Sequence, residues 1–186
     1  MKWLLLLLAL TLSSNAQSPA DKTSEPSDGT VAKKVDPKTH ADAIKLVEVA
    51  GAKQALQDNF KQMVDDGAKV LMEKCPRCTP AFGEEWKKRF LERSNIQDYL
   101  DVYVRVYEKY LTDAEMNELI NLQKPPKTAT PSPALQEKLK SVMPSLLGDA
   151  MGGCAQIGAK LGAEIGSEIE REHPEYLKPA TDKDAH

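Results

Sequence analysis

The residues best suited to chemistry in this sequence are three cysteines, Cys75, Cys78 and Cys154. The first two belong to the motif Cys75-Pro76-Arg77-Cys78, whose spacing suits a redox dithiol, a pair of metal ligands or a structural disulfide. Because three is an odd number, at least one of these thiols has no disulfide partner within the chain.

A redox dithiol gains reactivity at the start of a helix, where the helix dipole lowers the thiol pKa. Cys78 directly precedes Thr79-Pro80, a pair of residues typical of a helix start, but no strand–helix unit of the thioredoxin kind surrounds it. A zinc site needs four ligands, and apart from the one close pair the chain offers only Cys154 and three scattered histidines: His40, His173 and His186. We therefore expect no metal and no cofactor.

We favour a structural role in which Cys154 bridges to Cys75 or to Cys78. In the chain-entropy model this bridge closes a loop of about 80 residues and stabilises the fold by about 4.5 kcal/mol. The four-residue loop of a Cys75–Cys78 bridge is worth only about 2 kcal/mol on the same scale. A Cys75–Cys78 bridge, or no bridge at all, is the alternative.

The N-terminus has the layout of a secretory signal peptide. A basic residue at position 2 precedes an apolar run from Trp3 to Leu12, and small residues lead up to Ala16, after which we predict cleavage. The run of about ten residues is short for a bilayer core of roughly 30 Å, so an uncleaved anchor is the lesser alternative. Residues 146–169, the most apolar later stretch, carry four charged side chains, and we expect no transmembrane segment after cleavage. The predicted location is the periplasm or the exterior.

Composition divides the remaining chain into three parts. Residues 17–38 and 174–186 are polar, and we predict that they form a disordered linker and a disordered tail. Residues 39–173 show helical periodicity without strand alternation, which predicts one all-α domain, a compact bundle of five to seven helices. The formal net charge is −3 and no basic stripe occurs, so we expect no nucleic-acid partner.

Local patterns predict where helices begin, end and bury their faces. Capping boxes are expected at Ser94/Gln97 and Thr112/Glu115, and Pro144 should kink or end the helix that starts at Pro133. The first three predicted buried stripes, in chain order, are Ile44, Val47 and Ala50; Leu56, Phe60, Met63, Gly67 and Val70; and Phe82, Trp86 and Phe90.

The last predicted helix, over residues 146–173, carries a row of glycines at four-residue spacing: Gly158, Gly162 and Gly166. Each glycine costs a helix interior about 1 kcal/mol relative to alanine. We therefore predict a packing seam where another backbone comes close. We favour a seam inside the fold, and a homodimer interface is the alternative.

No segment matches a catalytic motif. The sequence lacks a Gly-x-Ser-x-Gly turn, a His-Glu-x-x-His helix and a phosphate-binding glycine loop, and no pair of carboxylates is singled out as general acid and base. We therefore assign no catalytic residue.

The run from Val106 to Ile120, VYEKYLTDAEMNELI, resembles the signature of the domain of unknown function 2059 family, bacterial exported proteins that are often periplasmic. The amphipathic segment 43–70, the passage Met143-Pro144-Ser145-Leu146 and the glycine-punctuated last helix extend the resemblance over roughly residues 40–170. After Leu122 the sequence departs from the family, with prolines in place of an aromatic residue and a Ser-Pro-x-Gly type turn. The resemblance implies an all-helical exported domain and assigns no catalytic residues.

Two functions follow as hypotheses. The first is a non-enzymatic exported domain that binds a protein or an envelope component. The second is a thiol–disulfide or thiol-sensing protein that uses Cys75 and Cys78.

Overall fold

The structure is a computed structural model, and it describes residues 36–125 and 129–179. The predicted signal peptide, nearly all of the predicted linker and residues 180–186, with His186, lie outside the described residues. The all-α fold class is confirmed. The described chain forms six α-helices and one short 3-10 helix: α1 Pro37–Val49, α2 Ala52–Lys74, α3 Pro80–Arg93, α4 Ile96–Tyr110, α5 Asp113–Leu122, α6 Pro133–Glu172 and the 3-10 helix Pro174–Tyr176.

The helices fall into two compact units, and both α4 and α6 contribute to each of them. The first unit contains α1, α5, residues 103–110 of α4 and residues 133–149 of α6. Leu46 of α1 and Met116 of α5 are completely buried. Polar contacts join the same two helices, since Thr39 Oγ1 donates to Asp113 Oδ1 at 2.6 Å and Asn117 Nδ2 donates to Asp42 Oδ2 at 2.6 Å.

The second unit contains residues 53–74 of α2, all of α3, residues 96–102 of α4, residues 150–172 of α6 and the 3-10 helix. Aromatic side chains fill its core. Phe60 and Tyr99 meet edge to face with ring centroids 5.6 Å apart, and Trp86 lies 4.7 Å from Phe90. Such aromatic pairs add about 0.5–1.5 kcal/mol each beyond the area they bury.

A ladder of ion pairs joins α3 to the end of α6 in this second unit. Arg89 Nη1 lies 2.8 Å from Glu172 Oε2, and Arg93 Nη1 lies 2.6 Å from Glu168 Oε2. Arg89 also bonds to Glu85 within its own helix, and this carboxylate raises the pKa of the guanidinium. The ladder fixes the end of α6 beside α3, which positions the chain that follows α6.

The two predicted capping boxes have different outcomes. The box at α5 is confirmed, because Glu115 N donates to Thr112 Oγ1 at 3.4 Å and Thr112 N donates to Glu115 Oε2 at 2.7 Å. The box at Ser94 is wrong. Instead, the side chain of Asn95 accepts from Gln97 N at 3.0 Å. Ser94 is the C-cap of the preceding helix, α3, where its backbone N–H donates to Phe90 O.

The predicted stripes of α1 and α2 need correction by about one residue. In α1 the buried residues are Ala43, Leu46 and Val47, whereas Ile44 is exposed. In α2 the stripe runs through Leu56, Phe60, Val64 and Ala68, while Val70 is 44% exposed. Apolar residues occur on both sides of these stripes, so periodicity alone did not select the face that packs. The third stripe, Phe82, Trp86 and Phe90, is buried as predicted.

Helix α6 runs for 40 residues without ending at Pro144. Of the two outcomes predicted at this proline, a kink or an end, the end is therefore wrong. A proline inside a helix removes one backbone hydrogen bond and costs about 3 kcal/mol. Buried side chains on both sides of the proline offset this cost: Leu135 lies before it, and Leu146, Ile165 and Ile169 lie after it.

Order also extends beyond the boundaries drawn from composition. Helix α1 begins at Pro37, where Asp36 caps it by accepting from Lys38 N at 2.8 Å. At the other end, residues 174–179 form a 3-10 helix and a short extended segment, although the tail was predicted to be disordered from residue 174 onward.

Candidate functional site

The Cys75-Pro76-Arg77-Cys78 motif forms the turn between α2 and α3. Cys78 N donates to Cys75 O at 3.0 Å, and this turn brings the two Cα atoms to 5.3 Å. That separation suits a disulfide, and Cys75 and Cys78 are bridged with an S–S distance of 2.04 Å. The bridge closes the junction at which the chain reverses direction between two helices.

The favoured bridge from Cys154 to this motif is therefore wrong. Cys154 lies in α6, 18 residues before Glu172 at the end of that helix. At a rise of 1.5 Å per residue this interval spans roughly 27 Å. The motif instead contacts the chain that follows α6, so it lies at the far end of the helix from Cys154. A disulfide requires the Cα atoms of its two cysteines to lie within about 7 Å. Cys154 therefore cannot bridge to the motif, and the larger entropic gain of that long loop is not obtained.

A C-terminal segment, residues 176–178, pairs with the motif. Cys78 and Leu177 form an isolated antiparallel bridge. Thr79 N donates to Tyr176 O at 2.9 Å, and Lys178 N donates to Arg77 O at 2.8 Å. Arg77 Nε in turn donates to Lys178 O at 3.3 Å. This segment had been assigned to the disordered tail, and its only apolar signals are Tyr176 and Leu177.

The two bridged cysteines differ in exposure. Cys75 is partly exposed just after the last residue of α2. Cys78 is only 4% exposed and lies two residues before the first residue of α3. Its neighbour Thr79 occupies the N-cap position of α3 without a side-chain cap bond. The motif therefore presents one sulfur-bearing residue to solvent and covers the other.

An open groove of about 500 Å³ lies between α2 and α3. Its apolar lining includes Ala68 and Met72 of α2 and Pro80 and Gly83 of α3. A Cβ atom at Gly83 would lie 3.0 Å from Met72 Sδ, so glycine at this position gives the Met72 side chain its space. Sequence reasoning missed this groove, and the break in apolar periodicity at Gly83 was the only available signal.

Charges of both signs surround the apolar lining of the groove. Lys87 Nζ lies 2.6 Å from Glu84 Oε1 and 3.6 Å from Asp65 Oδ1, and the Glu84 carboxylate raises the pKa of this ammonium group. Lys69 Nζ lies 2.9 Å from Asp66 Oδ1, which raises the lysine pKa and lowers the aspartate pKa. The rim is thus a set of paired charges rather than a field of one sign.

The predicted glycine seam of α6 meets aromatic rings of α3. A Cβ at Gly162 would lie 2.9 Å from Trp86 Cζ2, and a Cβ at Gly158 would lie 3.9 Å from Phe90 Cζ. Trp86 Nε1 donates to Gly162 O at 3.0 Å. At Gly166 no such atom lies within 4 Å. The nearest atoms are therefore side-chain atoms, whereas the sequence predicted a neighbouring backbone.

The histidines of the described chain pair with single carboxylates. His40 Nδ1 contacts Glu108 Oε1, and His173 Nδ1 lies 2.9 Å from Glu175 Oε1. No group of three or more His, Cys, Asp or Glu residues that could hold a metal ion occurs within residues 36–125 and 129–179. Over the same residues, none of the helices combines the length and the apolar character needed to cross a membrane.

Comparisons with known proteins identify no relative. No family model matches the chain, and neither the curated proteins nor the solved structures contain a match. The resemblance to the domain of unknown function 2059 family therefore stays a prediction from the sequence.

Proposed function

We propose that this protein is an exported, non-enzymatic helical domain that binds a peptide segment of another protein in the groove between α2 and α3. The groove carries the proposal. The groove is open and holds about 500 Å³, a volume comparable with the roughly 300–1,000 Å³ of small-molecule sites. Met72 and Pro80 supply apolar surface beside Gly83, and the longer side chains of Glu84 and Lys87 line the α3 side.

The paired charges of the rim favour a peptide over a polyanion. Lys87 and Lys69 each already contact a carboxylate, so the groove offers no concentrated positive charge to a nucleic acid or an anionic polysaccharide. A peptide with one aliphatic side chain flanked by an acidic and a basic residue matches both features. The aliphatic side chain would contact Met72, and the flanking charges would exchange partners with the rim.

Two observations support export. The N-terminal pattern ending at Ala16 is typical of a cleaved signal peptide. The Cys75–Cys78 disulfide is a bond that persists in oxidising compartments such as the periplasm and the exterior. The resemblance to the domain of unknown function 2059 family is in accord with this proposal.

Selection of short peptides from a random displayed library, followed by fluorescence anisotropy, tests the binding. The decisive variant is Met72→Lys, which places a charge on the apolar lining. Its control is Val70→Lys, which makes the same change at an exposed position of α2 outside the groove. We expect Met72→Lys to abolish binding of the selected peptide and Val70→Lys to preserve it. Equal affinities for the two variants, or a library that yields no binder, would refute the proposal.

A second candidate function is thiol–disulfide exchange at the Cys75–Cys78 bridge. The observation that favours it is a disulfide between one partly exposed and one buried cysteine at a helix junction. Reduction of insulin by dithiothreitol, with and without the protein, tests it. Acceleration that disappears in a Cys75→Ser variant is the expected result, and the absence of acceleration by the wild-type protein would exclude a catalytic role.

A further inference from the structure

The geometry points to Cys75 as a site of modification by a low-molecular-weight thiol, with Cys78 as the leaving sulfur and the C-terminal segment as its cover. This inference deepens the second candidate function, and it does not depend on the protein acting as a catalyst. It concerns which of the two bridged sulfurs reacts.

Exposure selects the sulfur that is attacked. An incoming thiolate must approach a disulfide sulfur from outside. Cys75 is partly exposed, whereas Cys78 is 4% exposed. The C-terminal segment lies beside Cys78, since Leu177 pairs with this cysteine and backbone hydrogen bonds at Arg77 and Thr79 hold the segment on both sides of it.

The partial charges at the helix ends also favour Cys78 as the leaving sulfur. A leaving thiolate is favoured near a helix N-terminus, where the backbone N–H groups carry partial positive charge, and is disfavoured near a helix C-terminus. Cys78 precedes α3, which starts at Pro80, and Cys75 follows α2, which ends at Lys74. Departure of the Cys78 sulfur therefore places the negative charge at the favourable end.

The thiolate of the small molecule forms a bond to Cys75 Sγ while the Cys75–Cys78 bond breaks. The electron pair of that bond leaves with Cys78 Sγ as a thiolate, which takes a proton from water. One disulfide is consumed and one mixed disulfide is formed, so no further oxidant or reductant is needed.

Cleavage of the bridge also affects the C-terminal segment. The bridge fixes the turn whose backbone supplies Arg77 O and Thr79 N to that segment. Once the bridge opens, the turn regains freedom and the pairing with Tyr176 and Lys178 weakens. The modification of Cys75 is thereby coupled to release of the chain that follows α6.

Adduct mapping with reduced glutathione as the probe tests the inference. The oxidised full chain is incubated with glutathione, quenched in acid and alkylated with N-ethylmaleimide. Trypsin cleaves after Arg77 and so separates the two cysteines into different peptides. We expect glutathione on Cys75 and maleimide on Cys78. Glutathione on Cys78, equal labelling of both, or no adduct on either would overturn the inference.

A matched pair of variants tests the role of the C-terminal segment. Lys178→Pro removes the N–H that donates to Arg77 O, whereas Lys178→Ala keeps it and removes only the side chain that reaches Pro76 O. Loss of one backbone hydrogen bond should raise the share of adduct on Cys78 roughly fivefold, the equivalent of about 1 kcal/mol. Lys178→Ala should leave the share unchanged. An identical share in the two variants would show that the segment does not shield Cys78.

Discussion

Substitution of the α6 glycines by alanine tests the packing of the second unit most sharply. A Cβ added at Gly162 would press on Trp86, one at Gly158 would make ordinary contact with Phe90, and one at Gly166 would face open space. The same chemical change at three positions of one helix therefore meets three different surroundings. We expect Gly166→Ala and Gly158→Ala to stabilise the protein and Gly162→Ala to destabilise it.

The magnitudes follow from two opposing terms. Replacement of a helical glycine by alanine contributes about 1 kcal/mol from helix propensity, and this gain should appear in full at Gly166. At Gly162 the new Cβ would lie 2.9 Å from Trp86 Cζ2. The Trp86 ring cannot yield easily, because it is 6% exposed, packs on Phe90 and donates to Gly162 O. Overpacking of this kind costs about 1–3 kcal/mol.

Urea unfolding monitored by tryptophan fluorescence measures the difference directly. We expect the free energy of unfolding of Gly162→Ala to lie roughly 1–3 kcal/mol below that of Gly166→Ala, with an unchanged dependence on urea. A Gly162→Ala variant as stable as Gly166→Ala would mean that Trp86 does not rest on this glycine. The seam would then have to be explained by an interface outside the chain.

Three further predictions concern the disulfide, a helix cap and a buried tyrosine. The double substitution of Cys75 and Cys78 by serine should lower the free energy of unfolding by about 2 kcal/mol, the value of a four-residue loop; a loss near 4.5 kcal/mol under non-reducing conditions would instead indicate the long loop. Thr112→Ala should cost about 1 kcal/mol in thermal unfolding, because α5 loses the acceptor of Glu115 N, and Thr112→Ser should restore most of it; equal stability of the two variants would contradict the cap. Burial raises the pKa of Tyr107 to about 12 from its ordinary value of 10.0. The neutral phenol therefore contributes its full stability below about pH 10, and this contribution, roughly 3 kcal/mol, is lost as pH rises through 12. Tyr107→Phe should flatten the decline of stability between these pH values, and an unchanged decline in urea titrations would refute this assignment.

Much of the fold could be predicted from the sequence because its signals are local. Thr112 and Glu115 lie three residues apart and cap the same helix, and the run of Phe82, Trp86 and Phe90 leaves α3 only one face to bury. The helical period was clear in both cases. The all-α class followed from such segments without knowledge of any tertiary contact.

The candidate site could not be predicted because it depends on contacts between distant parts of the chain. The groove exists where Met72 meets Gly83 across two helices, and the cover of Cys78 comes from Leu177. The disulfide was assigned to the wrong pair for a related reason. Loop entropy ranks bridges by their gain, but only the position of Cys154 within α6 shows that the larger gain is out of reach.

Continuity through Pro144 shows the same limit for a single helix. A proline inside a helix costs about 3 kcal/mol by local rules. Whether a helix ends at such a proline depends on how much apolar surface the neighbouring turns bury. In this helix Leu146, two residues after the proline, is buried. That quantity is not contained in the local sequence.

Methyl NMR of the methionines tests binding in the groove most directly. Met72 lines the groove, whereas Met116 is completely buried in α5 and Met63 belongs to α2 outside the groove. When a peptide selected against the protein is added to the oxidised full chain, we predict that the Met72 methyl signal shifts in a saturable manner and that the Met116 and Met63 signals stay in place. Saturable binding that leaves the Met72 signal unmoved would contradict the account.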